Sequence, residues 1–130
     1  MKALIMGLVL ITSVSAFAAP KNKCGPLSGK YTCAENGQNI SVEISVKADK
    51  LQLTLNGNVE NHTLDGTFRP TKKEGGTASA SCIATELVVT DKFQGKSVSL
   101  MGFTPSEDGM IFSVVQGLNV FPELKCVRAE

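Results

Sequence analysis

Alternation constrains this chain more than any other feature. Ile40, Val42, Ile44 and Val46 are interleaved with Ser41, Glu43, Ser45 and Lys47. Leu51, Leu53 and Leu55 then alternate with Gln52, Thr54 and Asn56. In an extended chain successive side chains point to opposite faces, so each run presents one apolar face. Wound at 3.6 residues per turn, the same residues would be scattered round the axis, and no helix is expected after the N-terminal segment. Ala48-Asp49 forms a short turn. Asn56-Gly57 signals a tight hairpin, because both residues tolerate positive φ.

The pattern continues to the C-terminus. A first strand runs from Gly29 to Cys33, before an Asn36-Gly37 turn. A strand from about Val59 to Phe68 carries His62, Leu64, Gly66 and Phe68 on one face. Pro70 to Gly76 is a loop by composition. Thr77 to Ala84 is a strand of small residues, with Ala78, Ala80, Cys82 and Ala84 on one face. Strands at Glu86–Thr90 and Lys96–Phe103 flank a loop from Asp91 to Gly95. Met110–Val115 and Leu118–Val127 complete the set. Eight or nine short strands with turns about ten residues apart imply an all-β sandwich or barrel. Short sequential links favour a small antiparallel up-and-down barrel, whose closure removes exposed edges. A two-sheet sandwich is the alternative.

The N-terminus reads differently. Lys2 precedes an apolar run from Ala3 to Ile11, then a tail of mostly small residues ending at Ala16, Phe17 and Ala18. One charge, an apolar stretch and a small-x-small end are the parts of a secretory signal peptide, with cleavage expected after Ala18. The run is shorter than the ~20 apolar residues of a membrane span. Residues 1–18 are thus the expected signal, and residues 19–130 a single domain in the periplasm or outside the cell. Of 13 basic residues Lys2 leaves with the signal, so 12 face 12 acidic ones. A neutral domain lacks the electrostatic footprint of a nucleic-acid binder.

Cys24, Cys33, Cys82 and Cys126 form an even set, which in an exported small domain reads as two disulfides. No close Cys/His pair suggests a metal site, and His62 is the lone histidine. In a closed meander the first strand lies antiparallel to the last, which brings Cys24 beside Cys126. Cys33 and Cys82 then share the opposite end. The expected pairing is Cys24–Cys126 and Cys33–Cys82.

Chemistry is sparse. His62 has no partner identifiable from sequence, so it is either a ligand-binding group or a histidine satisfied near a strand end. Ser79, Ser81, Ser97, Ser99 and Ser113 read as polar strand faces. Asp49, Asp91 and Glu107-Asp108 read as turn residues. No catalytic residue, cofactor or metal is expected. The alanine row would thin one wall and leave a pocket, or simply let a narrow barrel close. The expected cavity is lined by Leu53, Leu64, Phe68, Leu100 and Phe112, with His62 beside them. Phe93, Phe103 and Phe121 lie in or beside turns, as partner anchors or as plugs of a barrel end.

The segment Tyr31-Thr32-Cys33-Ala34-Glu35-Asn36-Gly37-Gln38-Asn39-Ile40-Ser41-Val42 resembles the first hairpin of bacterial periplasmic inhibitors of c-type lysozyme. That resemblance implies a small eight-stranded barrel. It also implies a bridge to the C-terminal region, for which Cys126 is suited, in competition with the pairing above. The family's inhibitory Ser-Gly-x-x-Tyr segment is missing: Ser79-Ala80-Ser81-Cys82 is the nearest stretch and does not match. No inhibitory residue is carried over. Leu27-Ser28-Gly29-Lys30-Tyr31 also resembles the Gly-x-Tyr/Trp opening of calycin-type barrels such as lipocalins and avidins.

The functional expectation is an exported, non-enzymatic binding module that holds a small apolar ligand or a protein partner. The alternative is an inhibitor of a secreted hydrolase such as lysozyme, acting through Pro70–Thr77 or Thr104–Gly109.

Overall fold

A computed structural model describes residues 23–35 and 37–129. The expected signal peptide lies outside the described residues. A 3-10 turn, Gly25–Leu27, precedes β1 (Gly29–Glu35), β2 (Gln38–Lys47), β3 (Lys50–Leu55) and β4 (Asn58–Thr63). Then come β5 (Arg69–Pro70), β6 (Gly76–Ile83), β7 (Glu86–Phe93), β8 (Lys96–Ser106), β9 (Gly109–Gln116), β10 (Asn119–Val120) and β11 (Leu124–Arg128). Every pairing is antiparallel, and the sheet runs β4-β3-β2-β1-β11-β9-β8-β7-β6-β5, with β10 beside β9. The all-β meander is present, curled into a half-barrel.

Two-residue turns make most of the hairpins. Leu55 pairs with Asn58 across Asn56-Gly57, whose φ values of 48° and 88° match the right-handed twist of the strands. The first strand pairs with the last, as a meander requires. The sheet's open edges lie elsewhere, at β4 and β5. The expected strand from Val59 to Phe68 breaks after Thr63 for a local reason. Gly66 takes φ 74°, and the Asp65 carboxylate accepts the Thr67 N–H at 3.0 Å and the Arg69 guanidinium at 2.9 and 2.6 Å. These bonds reward a turn over an extended chain. The crossing loop is tied to β6 by the Gly66 N–H, which donates to the Ala80 carbonyl at 2.9 Å.

The inward face of the curl is the core. Tyr31, Val42, Ile44, Leu51, Leu53, Leu87, Val89, Phe103 and Met110 are buried there. Phe103 and Phe112, directly paired between β8 and β9, stack with centroids 4.8 Å apart. The 3-10 turn packs against both β2 and β8, so it spans the interior between opposite walls. Its seat is polar: Tyr31 Oη donates to Leu27 O at 2.7 Å, and Arg128 donates to Ser28 O and Pro26 O at 2.8 and 3.1 Å.

The disulfides differ from expectation. They join Cys24 to Cys82 and Cys33 to Cys126, not Cys24 to Cys126 and Cys33 to Cys82. Register is the reason. Tyr31 lies opposite Arg128, so β11 runs past Cys126 and sets it directly opposite Cys33. Cys24, left without Cys126, reaches β6 because the 3-10 turn carries it across the interior to Cys82. Both bridges tie the domain to an oxidising compartment, periplasmic or extracellular.

Candidate functional site

Inside the curl, one stretch breaks the apolar rule. On β4, Glu60 lies opposite Leu53 and His62 opposite Leu51. Directly opposed residues share a face, and both leucines are buried, so Glu60 and His62 project into the interior. On the other wall Asp91 of β7 lies between Ala78 and Ser99, and Ser99 lies opposite Gln116. Ala78 is itself buried in the interior. Asp91 therefore faces inward too.

These side chains line a half-open cavity of about 1020 Å³ at the seam. Ala78 and Ala80 supply its thin wall, so the small-residue row does leave space. Cations stand around it: Lys50, Arg69, Lys72, Lys73 and Lys92. Arg69 is paired with Asp65. Lys73 sits 4.5 Å from the Phe93 ring centroid and Lys92 sits 3.9 Å from that of Phe68, as cation–π contacts. Among the described residues the ion pairs are Arg69–Asp65 and His62–Glu60, so the lysines at the cavity have no carboxylate partner.

His62 Nε2–H donates to Glu60 Oε1 at 3.0 Å, with the imidazole nearly buried and the carboxylate half exposed. The Asp91 carboxylate accepts no hydrogen bond from the described residues. Burial raises its carboxyl pKa above the ordinary carboxylate range. The Glu60 charge pushes the same way, and His62 opposes both. An inward carboxylate without a donor is a poor packing group. It is a good receptor for a ligand that brings an N–H.

The residues expected to line a cavity are scattered. Only His62 reaches it. Leu53 is fully buried in the core, and Phe112 is buried against Phe103. Leu64 packs on the core's flank. Phe68 is half-buried beneath the Lys92 ammonium. Leu100 lies on the outer face opposite Val115, 42% exposed. The barrel's long axis is filled by its own side chains, so the space lies at the seam. Of the turn aromatics, Phe93 lines the cavity, Phe121 is partly exposed, and Phe103 is core.

Asp91 and Glu60 are absent from the expected set. Composition places Asp91 in a loop, yet β7 continues through Phe93 and the turn shrinks to Gln94-Gly95, with φ values of 52° and 80°. The signal was there: Leu87, Val89, Asp91 and Phe93 keep period two. Glu60 stands two residues before His62, on the same face.

Among the described residues, no group of three His, Cys, Asp or Glu side chains is placed to hold a metal ion, and no helix is long and apolar enough to cross a membrane. No protein-family model matches the chain, and comparison with curated proteins finds no match.

Proposed function

We propose that this chain is an exported, non-enzymatic binding module whose ligand sits in the seam cavity. The observation that carries the reading is the inward placement of Glu60, His62 and Asp91 in one cavity beside the apolar core. Charged groups cost free energy in such a place unless paired, and are retained where they meet a ligand. The cavity, at about 1020 Å³, is at the upper end of the size that small-molecule sites occupy, roughly 300–1,000 Å³. Its lining favours a polar, charged ligand over a purely apolar one. The signal-like N-terminus and the two disulfides support export.

Native mass spectrometry of the protein purified from its own host tests this reading. The expected result is a retained mass on the natural chain that is lost in His62→Ala. Identical bare masses for both would remove it.

A second reading, a protein partner such as a secreted hydrolase, is favoured by one observation. The β9–β10 turn presents a fully exposed Leu118, with Val120 and Phe121 beside it. The Thr104–Gly109 candidate is weaker, because β8 and β9 stay paired out to Ser106 and Gly109. A lysozyme and protease panel showing no inhibition at micromolar protein would end the inhibitor version.

A further inference from the structure

The seam is also an unpaired sheet edge. β4 pairs with β3 on one side and with no strand on the other, where β6 is its neighbour across the gap without a ladder between them. The ladder decides which groups look outward. A two-residue turn is closed by a hydrogen-bonded pair, here Leu55 with Asn58, and bonded and non-bonded pairs alternate from there. Glu60 and His62 thus spend their main-chain groups on Leu53 and Leu51. The Leu64 N–H, which donates to Asp49 O at 2.7 Å, keeps the same alternation. Val59 and Asn61 turn their N–H and C=O into the seam, and no bond among the described residues meets them.

Unmet main-chain donors and acceptors at an edge are what an extended chain recognises. The side chains around this edge add charge. Glu60 and Asp91 face the interior, while Lys72 and Lys73 stand on the loop that rims the cavity. We propose that the seam takes a short extended peptide, which pairs with the free edge of β4 at Val59 and Asn61. Its amino group lies at Glu60 and Asp91, and its carboxylate lies towards Lys72 and Lys73. The cavity, at about 1020 Å³, has room for several residues of such a chain. A single amino acid would leave most of it empty.

This rests on the cavity being the binding site, and the two can fail separately. Tetra-alanine is titrated by calorimetry into the full chain without its leader, beside its N-acetyl and C-terminal amide forms. The expected result is saturable binding of the free peptide, weakened at least tenfold by N-acetylation and severalfold by amidation. Asp91→Asn weakens the free peptide and leaves the N-acetyl form unchanged. Asn61→Pro removes an N–H that β3 does not use, an edge position where proline is tolerated. It weakens all three forms at least tenfold, with the circular dichroism spectrum unchanged. If Asn61→Pro does not fold, slowed hydrogen exchange at the Val59 and Asn61 amides on peptide addition takes its place. Equal binding of the three peptides, no binding at millimolar concentration, or unchanged affinity in both variants would overturn the proposal. A host-derived mass retained alongside any of those results would leave the cavity reading standing and the peptide reading dead.

Discussion

The half-barrel has two boundaries, and they are built differently. Between β1 and β11, where the ends of the domain meet, strands are laddered and Cys33 is bonded to Cys126. The Arg128 guanidinium lies 4.9 Å from the Tyr31 ring centroid there, and burial raises the tyrosine hydroxyl's pKa. Between β4 and β5, in the middle of the chain, a five-residue loop crosses instead, held by the Gly66–Ala80 bond and an exposed Asp65–Arg69 pair. Tyr31, Cys33 and Cys126 are buried at the first boundary, while Glu60, His62 and Asp91 line the cavity at the second. The sealed boundary carries stability, which frees the seam to hold groups that pack badly.

The largest effect should come from the sealed side. Replacing Cys33 and Cys126 together by serine opens a loop of 93 residues, and a loop near that length is worth about 4–5 kcal/mol. Guanidinium unfolding of the double variant should show a loss of that order. A loss under about 1 kcal/mol would mean the ladder alone seals the boundary. Phe103→Ala, within the stacked pair, should cost about 3–5 kcal/mol. Val98→Ala at the seam, where the valine is partly exposed, should cost under about 1 kcal/mol. Equal losses for Phe103→Ala and Val98→Ala would erase the contrast.

Asp91 gives a smaller effect with a sign. Its folded carboxyl holds a proton more tightly than it does in the unfolded chain. The stability it contributes is fully present below the ordinary carboxylate pKa and is lost as pH rises through the raised one. Asp91→Asn should therefore melt slightly above the natural chain at pH 7, with the gap closing below about pH 4. A variant that melts lower at pH 7 would show that the carboxylate has a partner in the folded state. The least effect belongs to Arg69→Ala. The exposed pair it breaks should barely move the unfolding midpoint. Its reach should show in faster hydrogen exchange at the Gly66 amide, and unchanged exchange there would mean the loop stands without the pair.

The strand content was legible because period-two alternation is a local property, and Val42, Ile44, Leu51 and Leu53 follow it without exception. The site was less so. Of six residues expected at a cavity only His62 reaches one, since an apolar residue on an inward face looks the same from sequence whether it lines space or fills it. Asp91 was lost to a different cause. A Lys-Phe-Gln-Gly stretch after an acidic residue resembles a loop, while the structure extends the strand to within two residues of the next one.

Sequence alone determined that this chain makes short antiparallel strands, that its tight turns fall at places such as Asn56-Gly57, and that its four cysteines form two bridges. These follow from side-chain alternation, local φ preference and cysteine count, none of which needs a distant partner. Tertiary structure decided which cysteine meets which, because the pairing turns on the register between β1 and β11 and on how far the 3-10 turn reaches. It also decided where the sheet stays open. That depends on one loop, residues 64–68, crossing a gap whose two sides lie at opposite ends of the strand order.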